Sequence, residues 1–204
     1  AALVGRNATG QGATLDVAMY DALFSMLTTS HALHLYAGAL PQRVGNRHPL
    51  STPFGCFSTS DGQVVIAVLN GRQFATLAAL VGAPEAANDP RFASDESRTA
   101  NEPAVKALIE NWSARLTADE AVAALSAAGL PAAPIWDIAQ AAANDHAAAR
   151  GLVSHLPHPV LGTAPTVGQP VRFDGEKPLA ATSAPRLGGD LETILREFGL
   201  EARA

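Results

Sequence analysis

The sequence is short of cysteine, of positive charge and of long apolar runs, and each shortage removes a class of protein. Cys56 is the single cysteine in 204 residues, so no internal disulfide can form and a reducing, cytoplasmic setting is expected. Lysine and arginine number 14 against 19 aspartates and glutamates, for a net charge of −5. No basic stripe is left to release counterions from a phosphate backbone, so no nucleic-acid partner is expected. No apolar run reaches the roughly 18 residues of a membrane span, and no membrane association is expected. No basic segment precedes an apolar stretch in the manner of a signal peptide. What the sequence does have is 48% hydrophobic and 16% charged residues, a composition that folds around a core.

The chain opens Ala1-Ala2-Leu3-Val4-Gly5-Arg6, without an initiator Met or an N-cap. Ala-Ala-Leu-Val suits a helix, and Gly5 stands where a C′ glycine would end one. Four residues cannot sustain a helix alone. The start therefore reads as the last turn of a helix begun upstream, which would make the chain a portion of a longer protein. Ordinary processing of an initiator Met is the plainer alternative.

After a turn at Asn7 to Gly12, Leu15, Met19, Leu23 and Leu27 recur at i+4 with Phe24 beside them. That period predicts one helix reaching about Tyr36, stopped by Gly38 and Pro41. A loop rich in turn residues follows from Pro41 to Pro49. Two strands are expected at 54–59 and 64–69, joined at Ser60-Asp61-Gly62, since Asp-Gly between β-rich runs is a strong hairpin signal. The second is apolar without alternation, which predicts cover on both faces.

Helices are expected around Phe74, Leu77 and Val81, and around Val105, Leu108, Ile109, Trp112 and Leu116. Thr117 and Glu120 form a capping box for a third, carrying Val122 and Leu125 and ending at Gly129. A further Ala-rich helix is expected from Asp137 to about Ala143. From Gly151 to Pro185 the pieces Val160-Leu161 and Val171-Arg172-Phe173 read as isolated strands or linker. Asp190 is expected to cap a last helix with Leu191, Ile194, Leu195 and Phe198 inward. The organisation expected is residues 1–44 as a helical segment and linker, 45–137 as a compact α+β domain, and 138–204 as linker and C-terminal segment. The outer segments show no core of their own and should pack on something else.

No metal signature is present. His31 and His34 stand i, i+3 without a third ligand, and His155 and His158 lie in a Pro-rich stretch, so all four read as packing or surface residues. Cys56, in an expected strand, reads as a small buried hydrophobe rather than a nucleophile. Asp16 and Asp21 suit the start of a helix dipole. Neither a phosphate loop nor a nucleophile elbow occurs. The one concentration of active side chains is the loop holding Asn46, Arg47, His48, Ser51 and Thr52. Arg47 can take a carboxylate bidentately and His48 can polarise a carbonyl, although a solvated loop would have the same content.

Several segments together resemble the family III CoA-transferases, the group of formyl-CoA and carnitine CoA-transferases and α-methylacyl-CoA racemases. Gly10-Gln11-Gly12 with Leu15-Asp16-Val17-Ala18 resembles that family's "GQ…VDVS" element. Gly45-Asn46-Arg47-His48-Pro49, with Pro53-Phe54 and Asp61-Gly62, resembles its "GN-hP…P-y…DG" stretch. Asp89-Pro90-Arg91-Phe92 with Arg98 and Asn101, then Ala128 to Pro134, and finally Ala184 to Gly188 with Leu195 to Leu200, resemble later elements in the family's order.

The resemblance implies an α/β fold of the family III type. An α+β small domain would be joined by segments packing on a Rossmann-like large domain not contained in this sequence. It implies CoA transfer between an acyl-CoA thioester and a carboxylic acid through an aspartyl intermediate, with coenzyme A as substrate and no cofactor. The family's catalytic aspartate matches no position here, so no catalytic residue is assigned and the chain by itself is expected to be inactive. A homodimer of interlocked subunits is implied, or a pairing with a separate chain carrying the N-terminal half. The family's glycine-rich loop over the reacting groups is replaced here by Asn46-Arg47-His48-Pro49-Leu50-Ser51-Thr52. That departure favours substrate recognition by side chains, with Asn46, Arg47, His48, Ser51 and Thr52 as the binding residues. An α-methylacyl-CoA racemase portion and a non-catalytic fragment needing a partner polypeptide are the alternatives.

Overall fold

The computed structural model describes residues 1–176 and 183–200; the remainder of the expected C-terminal segment, 177–182 and 201–204, lies outside the described residues. The chain divides into two compact units, Ala1–Ile135 and Trp136–Ala204.

The first unit opens with α1 (Ala2–Thr9), α2 (Met19–Met26) and α3 (Thr28–Ala37), none of which buries a residue. Helix α1 passes straight through Gly5, contrary to the expected stop. The left-handed cap is Gly10 instead, at φ 72°, and its N–H donates to the Arg6 carbonyl at 2.7 Å. The single helix expected from Leu15 is two helices broken at Leu27, with Leu15 in the extended stretch before them. The backbone leaves helical geometry at Leu27, at φ −85° and ψ 40°, and Thr28 opens the second helix without a side-chain cap.

The sheet follows. Strands β1 (Phe54–Ser58) and β2 (Gln63–Ala67) pair antiparallel with Phe57 opposite Val64 and Gly55 opposite Ile66. Their loop is closed by the Thr59 N–H on the Gly62 carbonyl at 3.0 Å, as Asp-Gly predicts. Then come α4 (Gly71–Leu80), two 3-10 turns at Pro84–Asn88 and Pro90–Phe92, α5 (Asp95–Ala100), α6 (Glu102–Ser113) and α7 (Ala118–Ala127). The capping box of Thr117 and Glu120 is formed on α7. A strand with no sequence signal, β3 (Ala132–Pro134), pairs antiparallel with β2 on the edge opposite β1.

Strand period 2 sends Val64, Ile66 and Val68 to one face, all fully buried. They meet Phe57, Phe74 and Leu77 of α4, Val105 and Ile109 of α6, and Ala121 and Leu125 of α7 in one core. Each such aliphatic side chain contributes about 1.5–3 kcal/mol on burial. The other face carries Val65 and Ala67, which are only half-buried. The cover expected on both faces of β2 is thus complete on one alone, because α4, α6 and α7 all pack on the same side.

In the second unit, α8 (Ile138–Ala143) has a capping box of Asp137 and Gln140, and α9 (Asp145–Arg150) ends on Gly151. Strands β4 (Val153–His158) and β5 (Gly162–Val167) form an antiparallel hairpin where isolated strands or linker were expected. Val160-Leu161 is its turn, and His158 Nδ1 accepts their N–H groups at 3.2 and 3.1 Å. Helix α10 (Leu191–Glu197) begins after Asp190, whose side chain makes no capping bond, and Leu191, Ile194 and Phe198 are exposed rather than inward. No helix among the described residues is long and apolar enough to cross a membrane.

Candidate functional site

The loop before β1 behaves as a short fourth strand. Arg47 bridges Gly55 antiparallel, with the His48 N–H on the Phe54 carbonyl at 2.7 Å and the Cys56 N–H on the Asn46 carbonyl at 3.0 Å. Gly55 is what permits the approach. A Cβ there would meet Asn46 O at 2.7 Å and Arg47 Cα at 2.9 Å, both backbone atoms that cannot swing aside.

Alternation along this strand sends Arg47 to the face of Gly55 and Phe57, toward α6, and His48 to the face of Phe54 and Cys56. The two residues grouped by sequence are therefore on opposite sides. The His48 ring lies nearly parallel to Phe54, 5.1 Å between centroids and 11° between planes. Its Nδ1 accepts the Leu50 N–H at 3.2 Å, so a neutral ring carries its proton on Nε2.

A depression lies on each side. The one toward α6 has a volume of about 310 Å³ and a mostly polar lining that includes Asn46, Arg47, Thr52, Gln63, Glu102 and Lys106. The other, about 390 Å³, is largely apolar and bordered by His48, Phe54, Cys56 and Val65, with Asn46 and Arg47 at the boundary shared with the first. Arg47 makes one weak contact, to the His48 carbonyl at 3.4 Å, and has no carboxylate partner among the described residues. Lys106 is paired with Glu110 at 3.2 Å. Glu110 also accepts the Ser58 N–H at 2.9 Å; burial works to raise its carboxyl, but that amide and Lys106 outweigh it and hold the pKa below the usual glutamate value.

Asn46 is exposed and borders both depressions, whereas Ser51 is half-buried and borders neither. Thr52 differs from the other four: it is 3% exposed and all its polar groups are engaged inside the protein. The partners are Asp95, Arg98 and Thr99 of α5, which sequence reasoning did not connect with the loop. The available signal was Asp95 and Arg98 at i, i+3, two residues on one helix face. Cys56 is half-buried rather than enclosed. His31 stacks on Phe24 at 3.9 Å between centroids, and no group of three or more His, Cys, Asp or Glu at metal-binding distance occurs among the described residues.

The sheet packed on three helices and the bridged loop before it define a known class. The profile of the family described as CoA-transferase family III matches residues 1–191, and the chain belongs to that family. It is 36% identical over 200 residues to the acetyl-CoA:oxalate CoA-transferase of Acetobacter aceti, covering 97% of this chain and 50% of that protein. The succinate–glutarate CoA-transferase of Agrobacterium fabrum is 29% identical over 203 residues, covering 96% and 51%. The crystal structure of a CAIB/BAIF family protein from Brucella suis superposes with a TM-score of 0.77 at 33% identity, over 96% of this chain and 50% of that one. The chain thus spans about half the length of the relatives it matches, and its mixed α/β fold is theirs.

Proposed function

We propose that this chain is the C-terminal portion of an acyl-CoA:carboxylate CoA-transferase, and that Arg47 receives the carboxylate of the acid acceptor in the cleft facing α6. The observation that carries this is a guanidinium with no carboxylate partner among the described residues, on a polar cleft of about 310 Å³, in a member of a CoA-transferase family. A cleft of that size suits a small organic acid, and Arg matches a carboxylate with two parallel N–H donors. Relatives named for oxalate, succinate and glutarate support a dicarboxylic acid, for which Lys106 is a second cation on the same cleft.

The covalent step belongs to an aspartate outside these residues. It would take the acyl group from the thioester as an anhydride, exchange it for CoA as an aspartyl thioester, and pass CoA to the acceptor. The names of the relatives favour transfer over α-proton removal. Exposed Leu3, Val4, Tyr20, Leu23 and Phe24 support assembly with a second copy, or with a polypeptide carrying the rest of the family length.

The test is Arg47→Ala in the active transferase. The acceptor KM should rise about tenfold or more, as for loss of a charged hydrogen-bonded pair, while the donor KM stays within about twofold. Unchanged acceptor kinetics, or no CoA transfer to any acid by the unaltered enzyme, would sink the reading.

A further inference from the structure

Arg98 is 1% exposed, and a charge so enclosed must be compensated on every side. Its Nε donates to the Thr52 carbonyl at 2.7 Å, one terminal nitrogen to the Phe92 carbonyl at 3.1 Å, and the other to Asp95 Oδ1 at 3.1 Å. Its guanidinium carbon lies 5.0 Å from the centre of the Phe74 ring, which anchors it to the core. The same Asp95 Oδ1 accepts the Thr52 N–H at 3.1 Å, and the Thr99 hydroxyl donates to Thr52 Oγ1 at 3.2 Å. Every polar group of Thr52 is thereby held by one short helix, α5, more than 40 residues away in sequence.

The loop is consequently fixed at two points. The bridge to β1 holds residues 46–48, and α5 holds residue 52, leaving Pro49, Leu50 and Ser51 as the span between. Thr52 and Arg47 border the same polar cleft, so the hold on Thr52 sets the wall that faces the guanidinium. Fold stability alone does not call for this arrangement, since a well-packed apolar group often replaces a buried charge at no loss. We propose that α5 is a clamp for the substrate loop, with Arg98, Asp95 and Thr99 as positioning residues that set the cleft for the acid acceptor. This rests on the reading of that cleft given above. Lysine at position 98 would keep the charge, but its point-like ammonium cannot reach three acceptors in a plane.

Two measurements test it. In this chain, Arg98→Lys and the milder Thr99→Val should speed hydrogen exchange at the Leu50 and Thr52 amides, with the core amides of Val64 and Ile66 unchanged. In the active transferase, Arg98→Lys should raise the acceptor KM about tenfold to a hundredfold, the scale of a small misplacement, with the donor KM within about twofold. That increase should vanish when Arg47→Ala is already present. Core amides that accelerate together with the loop amides would overturn the clamp, as would equal rises in both KM values or an effect additive with Arg47→Ala. Should Arg47→Ala alone leave the acceptor KM unchanged, the cleft reading fails separately, and unaltered loop amides in Thr99→Val would then overturn the clamp itself.

Discussion

Gly55→Ala probes the contact on which the candidate site is built. The added methyl would stand 2.7 Å from Asn46 O, 2.9 Å from Arg47 Cα and 3.0 Å from Arg47 Cβ. Carbon contacts settle at about 3.5–4.0 Å, so the bridged segment must retreat by roughly 1 Å. A retreat of that size opens the hydrogen bonds of His48 N–H to Phe54 O and Cys56 N–H to Asn46 O, at about 1 kcal/mol each. The His48–Phe54 stack would go with them, at about 0.5–1.5 kcal/mol. Alanine recovers about 0.4–1 kcal/mol by restricting the unfolded chain. The net expectation is a loss of about 2 kcal/mol, read in a urea titration as a lower midpoint at unchanged slope. Hydrogen exchange should locate it, with the His48 and Cys56 amides accelerated and the Val64 amide protected. A change within about 0.5 kcal/mol, the usual range of a neutral surface substitution, together with unaltered exchange at His48, would refute the reasoning.

Leu125 is fully buried in α7 against the sheet. Leu125→Ala should cost about 3 kcal/mol, and a loss under about 1 kcal/mol by the same titration would mean the core collapses to fill the space. Glu110 gives a pH dependence. Its folded pKa lies below the ordinary value of 4.5, so its contribution is present above that pH and fades as acid titrates through the lowered value. Glu110→Gln should therefore flatten the fall in stability between about pH 5 and pH 3; parallel slopes for both proteins would exclude Glu110 as a source of the acid loss.

Legibility followed the range of the interactions. The hairpin at Asp61-Gly62, the capping box at Thr117, the Ala-rich helix after Asp137 and the stripe of α6 are local signals, and the structure forms each of them. Gly5 misled because a glycine within a helix resembles one that ends it, and only the backbone angle at Gly10 separates the two. Strand β3 was invisible, since Ala132-Ala133-Pro134 has neither β-branched residues nor alternation and is extended only through its pairing with β2. The hairpin of β4 and β5 was obscured by Pro157 and Pro165, which a two-stranded ribbon tolerates at positions needing no N–H donor.

The candidate loop could be read directly, because five polar side chains crowd into residues 46–52 in a motif order shared with family III. Sequence by itself determined where that loop lies, which family the chain resembles, and local devices such as the Asp61-Gly62 hairpin and the capping box of Thr117 and Glu120, since all of these depend on neighbours a few positions apart. Tertiary structure alone decided that Arg47 and His48 face opposite sides, because the bridge to Gly55 sets their register. It alone decided that Thr52 turns inward, since its partners Asp95, Arg98 and Thr99 come from a helix that only folding brings beside the loop.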